Sequence, residues 1–303
     1  MAAEAALAVP AAPRPRAAVL VADLVTLTKP RITVMVALTA AAGFVMASPA
    51  GVSFWLLLAT LAGTGLVAAG ASGLNQVVEH EHDACMIRTA DRPLAAGRMH
   101  PDAGLAFSVA VAVAGVALLA ATVNLLTACL GALTLAGYVF VYTPMKRVSS
   151  LSTVVGAFPG AVPPMMGWTA AAGTLEPGAW ALFGILFLWQ LPHFLAIAWL
   201  CRDDYARAGY PMISVSDGDG SRTARQAVLY AAALVPVSLL PVPLELAGGV
   251  YFAGALLLST AYLAASFGFL RRPDMATSRW LLLASVLYLP GVLAVMLLDR
   301  ALL

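Results

Sequence analysis

One stretch of this chain gathers most of its reactive side chains: Asn75-Gln-Val-Val-Glu79-His80-Glu81-His82-Asp83-Ala-Cys85-Met86-Ile-Arg88-Thr89-Ala-Asp91-Arg92-Pro93-Leu94. Asn75, Glu79 and Asp83 recur at i, i+4 and i+8, so on a helix each step turns by only about 40° and the three share one face. The stretch follows a long apolar run, and carboxylates stacked that close to lipid are costly unless something neutralises them. Oxygen ligands on one helical face suit a hard cation such as Mg²⁺, which keeps part of its water shell and is usually completed by substrate phosphate oxygens. Arg88 and Arg92, whose planar donors match phosphate geometry, would reach the same anion. Glu81 lies about 160° round the helix from Glu79 and would stand behind the ligands at most. A solvated helix end carries a similar mixture of charges, so this stretch alone leaves both readings open. A transition-metal centre built from His80, His82, Glu81 and Cys85 is the poorer alternative, because residues two apart point about 200° from each other on a helix.

A second acidic pair, Asp203-Asp204, sits in Arg202-Asp203-Asp204-Tyr205 after a later apolar run. Two acidic clusters at one membrane depth can clamp a diphosphate through Mg²⁺ from opposite sides. Lys146 and Arg147 end another apolar run at the same depth and would neutralise a departing diphosphate. Read without that context, the same two residues are a topological anchor.

The elements that must position these groups are read from composition. Of the 303 residues 61% are hydrophobic and only 11% charged, and the mean hydropathy is +0.90. Soluble domains carry roughly 25% charged residues, so a water-soluble protein is excluded. A net charge of +2 gives no basic patch for nucleic acid, and membrane lipid is the surrounding partner. Three widely spaced cysteines, Cys85, Cys129 and Cys201, suggest no disulfide framework. Nine apolar stretches, at 32–48, 53–73, 103–122, 125–142, 153–171, 178–200, 226–244, 249–269 and 280–298, predict nine transmembrane helices. The fold class expected is all-α, a polytopic bundle around a central cavity open to the cytoplasmic face. Prolines 159, 163, 164, 192, 236, 241 and 243 should kink or interrupt three of the spans.

Residues 1–22, with Pro10, Pro13, Pro15 and Glu4 ahead of Arg14 and Arg16, do not form a secretory signal and are expected to be a disordered tail, with a short interfacial helix over Ala17–Leu27 as the alternative for its end. Residues 23–303 are expected to form a single transmembrane domain. Of the 17 Lys and Arg, all but Arg300 fall on one side of the nine-span topology. By the positive-inside rule that side is cytoplasmic, which places the protein in the inner membrane with its N-terminus in and its C-terminus out.

In order along the chain, the stretch at 75–94 is joined by Thr28-Lys29-Pro30-Arg31, Tyr142-Thr143-Pro144-Met145-Lys146-Arg147, and Gly156-Ala157-x-Pro159-Gly160-Ala161-x-Pro163-Pro164-x-x-Gly167-Trp168. Trp189-Gln190-x-Pro192-His193-Phe194 and Asp204-Tyr205-x-x-Ala208-Gly209-x-Pro211-Met212 complete the set. This pattern resembles the UbiA superfamily of intramembrane prenyltransferases, and within it the haem-farnesylating branch. Glu79 and Glu81 stand where the family commonly has aspartates, and Ala208 stands where the wider superfamily carries a further acidic residue.

The resemblance implies Mg²⁺ as cofactor, farnesyl diphosphate and haem B as substrates, and haem A synthase or terminal oxidase assembly proteins as partners. It implies that Asn75, Glu79, Asp83, Arg88, Lys146, Arg147 and Asp204 take part in catalysis, with metal held by Glu79, Asp83, Asp204 and Asp203. Lys29, Arg31, Arg92, Tyr142, His193 and Tyr205 would bind substrate. His193 lies inside an apolar span, where a histidine is expensive and often functional, and a carbonyl freed by Pro192 is expected to orient its ring; the alternative is a packed histidine bonded to a neighbouring helix. Tyr142, Trp168, Trp189 and Tyr205 could contact the porphyrin or the isoprenoid, but aromatic residues near span ends are more often interfacial anchors. Prenyl transfer to an aromatic quinone precursor would use the same metal site, and a secondary transporter is the reading from another class. The latter is disfavoured because the acidic residues gather at one face instead of the midplane and no inverted repeat is visible.

Overall fold

The computed structural model describes residues 16–48, 51 and 53–302, and among them every regular element is helical. The first helix, α1 (Arg16–Leu27), takes in the last residues of the expected tail; residues 1–15 lie outside the described residues. Lys29 then turns the chain with φ of 47°, and Pro30, whose ring fixes φ for the first helical turn, opens α2 (Pro30–Met46).

Helix α3 (Phe54–Ala84) has 31 residues, which is about 46 Å of helix against roughly 30 Å of hydrocarbon. Its excess length carries Asn75, Glu79 and Asp83 past the most apolar part of the span. Helix α4 (Pro101–Thr122) packs along it at a distance that only glycine permits: a Cβ at Gly70 would lie 2.7 Å from the Ala112 amide nitrogen. Helix α5 (Leu125–Ala136) passes into a π-helical turn, Gly137–Tyr142, and the single turn α6 (Thr143–Met145). The wider turn shifts the face on which Tyr142, Thr143 and Lys146 emerge.

The tandem prolines act as expected at one place. Helices α7 (Ser152–Ala161) and α8 (Pro163–Ala172) are separated at Val162. Helix α8 lies against α2 so closely that a methyl at Gly167 would collide with the Ala40 carbonyl. Helix α9 (Pro177–Leu200), by contrast, runs through Pro192 as one helix. Short helices α10 (Arg202–Arg207) and α11 (Ile213–Ser216) follow, then α12 (Ser221–Ser238), α13 (Gly249–Arg271) and α14 (Met275–Leu302). Pro236 lies inside α12, while Pro241 and Pro243 fall in the turns beyond it.

Among the described residues six helices are long and apolar enough to cross a bilayer: α3, α4, the continuous Leu125–Met145, α9, α13 and α14. The protein is an all-α integral membrane protein. The other three apolar stretches coincide with helix as well, but α2 is 17 residues long, α7 and α8 are broken, and α12 begins with the polar Ser221-Arg222-Thr223-Ala224-Arg225-Gln226. The largest core cluster joins α2, α8, α9 and α12–α14 around Trp168, Trp199, Tyr251, Tyr262, Phe269 and Tyr288.

Candidate active site

The acidic face of α3 is built as its spacing predicts. Asn75, Glu79 and Asp83 are 1%, 3% and 1% exposed, and each is met by a different part of the chain. The Lys29 ammonium, from the α1–α2 turn, approaches Asn75 Oδ1 at 3.4 Å. Asn75 Nδ2 donates to the Thr143 hydroxyl at 3.2 Å, and that hydroxyl donates onward to the Tyr138 carbonyl of the π-helical turn. The Lys146 ammonium stands 2.9 Å from Glu79 Oε1 and donates to Oε2 at 3.2 Å. Arg92 donates to Asp83 Oδ2 at 2.6 Å, while Thr89 ties the Asp83 carbonyl at 2.8 Å.

The donor set fits a hard cation. Asp83 Oδ1 is a buried oxygen with no hydrogen bond, and an unsatisfied buried polar atom costs about 1–3 kcal/mol. Hard carboxylate oxygens in that condition suit Mg²⁺. Among the described residues no group of three His, Cys, Asp or Glu side chains forms a ready-made cage, so a metal here would take further ligands from water and a phosphate-bearing ligand. The cations point the same way. Burial, and next the neighbouring Arg92 and Lys146 charges, lower the Lys29 ammonium to about 7, so three cations crowd a space that an added anion would relieve.

Around this centre the expected residues divide. Tyr142 lies under the Lys146 ammonium, 4.7 Å from ring centroid to nitrogen, and Arg88 stands 5.9 Å over the Tyr205 ring. Arg147 is exposed and donates to the Val78 carbonyl at 2.6 Å, not to a carboxylate. Arg31 is exposed at the start of α2, and Glu81 is exposed on the far side of α3.

The two residues of the second acidic pair also part company, because adjacent positions on a helix point about 100° apart. Asp204 turns toward the first motif and accepts the Ile87 amide at 3.1 Å, and Arg207 also binds it. Burial works against its charge, but the Arg207 and Ile87 hydrogen bonds prevail and hold its carboxyl below the usual range. Asp203 has an 88% exposed side chain beside Arg202 and is not brought to the cluster.

His193 lies in α9, seven residues before Leu200, about 10 Å of helix from the end that leads into the second acidic pair. Its ring is oriented not by a carbonyl freed at Pro192 but by a hydroxyl reaching across from α14: Nδ1 lies 2.7 Å from Ser285 Oγ. Ser285 spends its single proton on the Leu282 carbonyl at 2.5 Å, so it accepts from the ring. A neutral His193 is thereby held as the Nδ1–H tautomer, with the lone pair on Nε2. Trp189 stacks on the ring at 5.3 Å and donates its indole N–H to the Ser285 carbonyl.

Thr143, Thr89 and Ser285 are members of the site that sequence reading did not single out. The first two lie inside quoted motifs. Ser285 has no motif and no local signal.

A profile described as the UbiA prenyltransferase family matches residues 36–290. The chain belongs to the UbiA prenyltransferase family. It is 48% identical over 288 residues to a protein from Solibacter usitatus named protoheme IX farnesyltransferase, covering 92% of this chain and 98% of the relative. Among solved structures of the same fold, a digeranylgeranylglyceryl phosphate synthase superposes with a TM-score of 0.79 at 15% identity, covering 93% of this chain and 99% of the other. A UbiA homologue from Archaeoglobus fulgidus bound to GPP and Mg²⁺ gives 0.67 at 16% identity, covering 90% and 99%. The family's fold therefore survives very low identity, whereas the Solibacter relative is similar along almost the whole chain.

Proposed function

We propose that this protein transfers the farnesyl group of farnesyl diphosphate to a vinyl group of haem B, with addition of water, giving haem O and diphosphate. The observation that carries the reading is the convergence of Lys29, Arg92 and Lys146 on the buried Asn75–Glu79–Asp83 face, in a chain so similar to a protein named protoheme IX farnesyltransferase. Residues 23–303 act as one transmembrane prenyltransferase domain of nine spans in the cytoplasmic membrane, with the N-terminus inside, the C-terminus outside and the reaction cavity opening to the cytoplasm. Haem is a substrate here, and the product's users, a haem A synthase or terminal oxidase assembly proteins, are its natural partners.

Glu79 and Asp83 hold the metal from the first motif and Asp204 faces it from the second; exposed Asp203 contributes least. Bound Mg²⁺ supplies positive charge to the diphosphate as the allylic C–O bond breaks. Lys146, Arg92 and Lys29 share that task, and Arg88 and Arg147 bring further charge from the rim, an interaction that strengthens as negative charge collects on the leaving oxygen. Asn75 keeps the Lys29 ammonium and Thr143 in register. Arg31, at the entrance, draws in the anion.

The terminal vinyl carbon bonds to farnesyl C1 as the diphosphate leaves. The carbocation left on the inner vinyl carbon takes a water oxygen, and one proton is released. Apolar helices must keep water from the farnesyl cation until that bond has formed. Tyr142 and Tyr205 flank the diphosphate end. His193, with Nε2 unprotonated, holds the porphyrin from the α9 side.

The test is to incubate membranes carrying the protein with farnesyl diphosphate, Mg²⁺ and either haem B or 4-hydroxybenzoate, and to analyse products by mass spectrometry. Farnesylated, hydrated haem is expected from the first mixture alone. Product only with the aromatic acid would move the acceptor to a quinone precursor, and neither product would overturn prenyl transfer.

A further inference from the structure

Two polar atoms between the acidic motifs are buried without a hydrogen-bond partner and have no part in the chemistry above: the Tyr210 hydroxyl and His82 Nδ1. Tyr210 is 2% exposed and lies in the turn that follows α10. That turn is fixed by its backbone. The Tyr210 amide donates to the Tyr205 carbonyl at 2.9 Å, the Met212 amide donates to the Tyr210 carbonyl at 2.8 Å, and Gly209 supplies the φ of 70° that reverses the chain. The Tyr210 ring is thereby wedged between the motifs. It stacks on His82 of the first motif with centroids 5.3 Å apart and meets Tyr205 of the second edge-on at 6.0 Å, with Met86 and Met212 packed beside it.

A hydroxyl in that position should not stay unpaired. Leaving it so costs about 1–3 kcal/mol, and no neighbouring side chain accepts its proton. Its surroundings are charged. Burial, and next the Glu79 carboxylate, push the phenol above its ordinary value, so the group keeps its proton at any physiological pH and acts as a donor. Lys146, Asp83 and Arg147 are the other charges that bear on it. A neutral donor beside the carboxylates that await a cation, and beside the cations that await an anion, matches one class of ligand: an anionic oxygen delivered with the metal.

We propose that the Tyr210 hydroxyl is a catalytic hydrogen-bond donor to the diphosphate of the prenyl substrate, closing the anion site between the two acidic motifs. The proposal rests on the prenyl-transfer reading above. A donor aimed at the departing group strengthens as charge builds there, so Tyr210 acts on the leaving step as well as on binding.

Tyr210→Phe keeps the ring, its stack on His82 and its packing, and removes only the donor. Purified full-length protein in detergent is titrated with inorganic pyrophosphate in the presence of Mg²⁺, following the thermal unfolding midpoint, and kcat and KM for farnesyl diphosphate are measured with haem B. The expected result is a midpoint without ligand that is kept or raised, since the unpaired hydroxyl is gone, a pyrophosphate affinity weakened about tenfold, and a kcat lowered by roughly 10- to 100-fold. Pyrophosphate affinity and kcat equal to those of the wild type would overturn the proposal while leaving prenyl transfer intact. A wild-type protein that neither binds pyrophosphate with Mg²⁺ nor makes farnesylated haem would overturn the prenyl-transfer reading and this inference with it.

Discussion

The two acidic motifs are neighbours, joined by the Ile87–Asp204 hydrogen bond, yet are built in opposite ways. In the first, Glu79 and Asp83 ride on the end of a 31-residue helix, are almost wholly buried, and are each paired with a cation from beyond that helix, Lys146 for Glu79 and Arg92 for Asp83. In the second, Asp203 and Asp204 ride on a six-residue helix with no buried residue; Asp203 is exposed beside Arg202, while Asp204 is bound by the neighbouring Arg207 and by the Ile87 amide of the first motif. A buried carboxylate is tolerable only with its counter-charge in place, so the first motif is a rigid site that cannot be rearranged cheaply. The exposed Asp203–Arg202 pair contributes little to stability, and a six-residue helix with no buried residue adjusts to a ligand more cheaply than the buried first motif. In the proposed reaction the first motif would hold the metal and the second would adjust to the ligand beside it.

The largest expected effect is at the rigid site. Asp83→Asn removes the charge that balances Arg92 and the only buried oxygen on that residue still free for a metal; formation of farnesylated haem should fall by about 10³-fold, and a chelator should do the same to the wild type. Lys146→Met leaves Glu79 buried and unpaired, and about a 10²-fold loss in kcat is expected, read in the same product assay. Asp204→Asn, which weakens only the adjustable side, should lower kcat by about tenfold, whereas Asp203→Asn should stay within about twofold. Equal losses for Asp83→Asn and Asp204→Asn would break the comparison. At the acceptor end, Ser285→Ala frees the His193 ring from its single tautomer. It should raise KM for haem B by about tenfold and leave KM for farnesyl diphosphate unchanged.

Sequence spacing alone placed Asn75, Glu79 and Asp83 on one face, because helical periodicity is a local property. It also marked the break at Val162, since two consecutive prolines leave the preceding turn without its donors. The partners of those residues were less legible. Lys146 reaches Glu79 across 67 positions and Lys29 reaches Asn75 across 46; in advance a shared membrane depth tied Lys146 to the acidic motifs, and only family resemblance tied Lys29 to them. The π-helical turn at Gly137–Tyr142 has no local sequence signature, yet it sets the face from which Lys146 approaches. Of Asp203 and Asp204 only the resemblance, through its Asp-Tyr pair, favoured Asp204; position alone did not, since the helix that separates them by about 100° is only six residues long. Ser285, which fixes His193, sits 92 residues away on another helix.

The central claim is that the buried first motif carries the metal-bound diphosphate while haem B accepts the prenyl group. Its most direct test is the Mg²⁺ dependence of farnesylated-haem formation in membranes carrying wild-type protein, Asp83→Asn or Asp203→Asn, with product quantified by mass spectrometry. Saturable Mg²⁺ activation in the wild type and in Asp203→Asn, with none in Asp83→Asn, is the predicted result. Undiminished, Mg²⁺-dependent product from Asp83→Asn would contradict it.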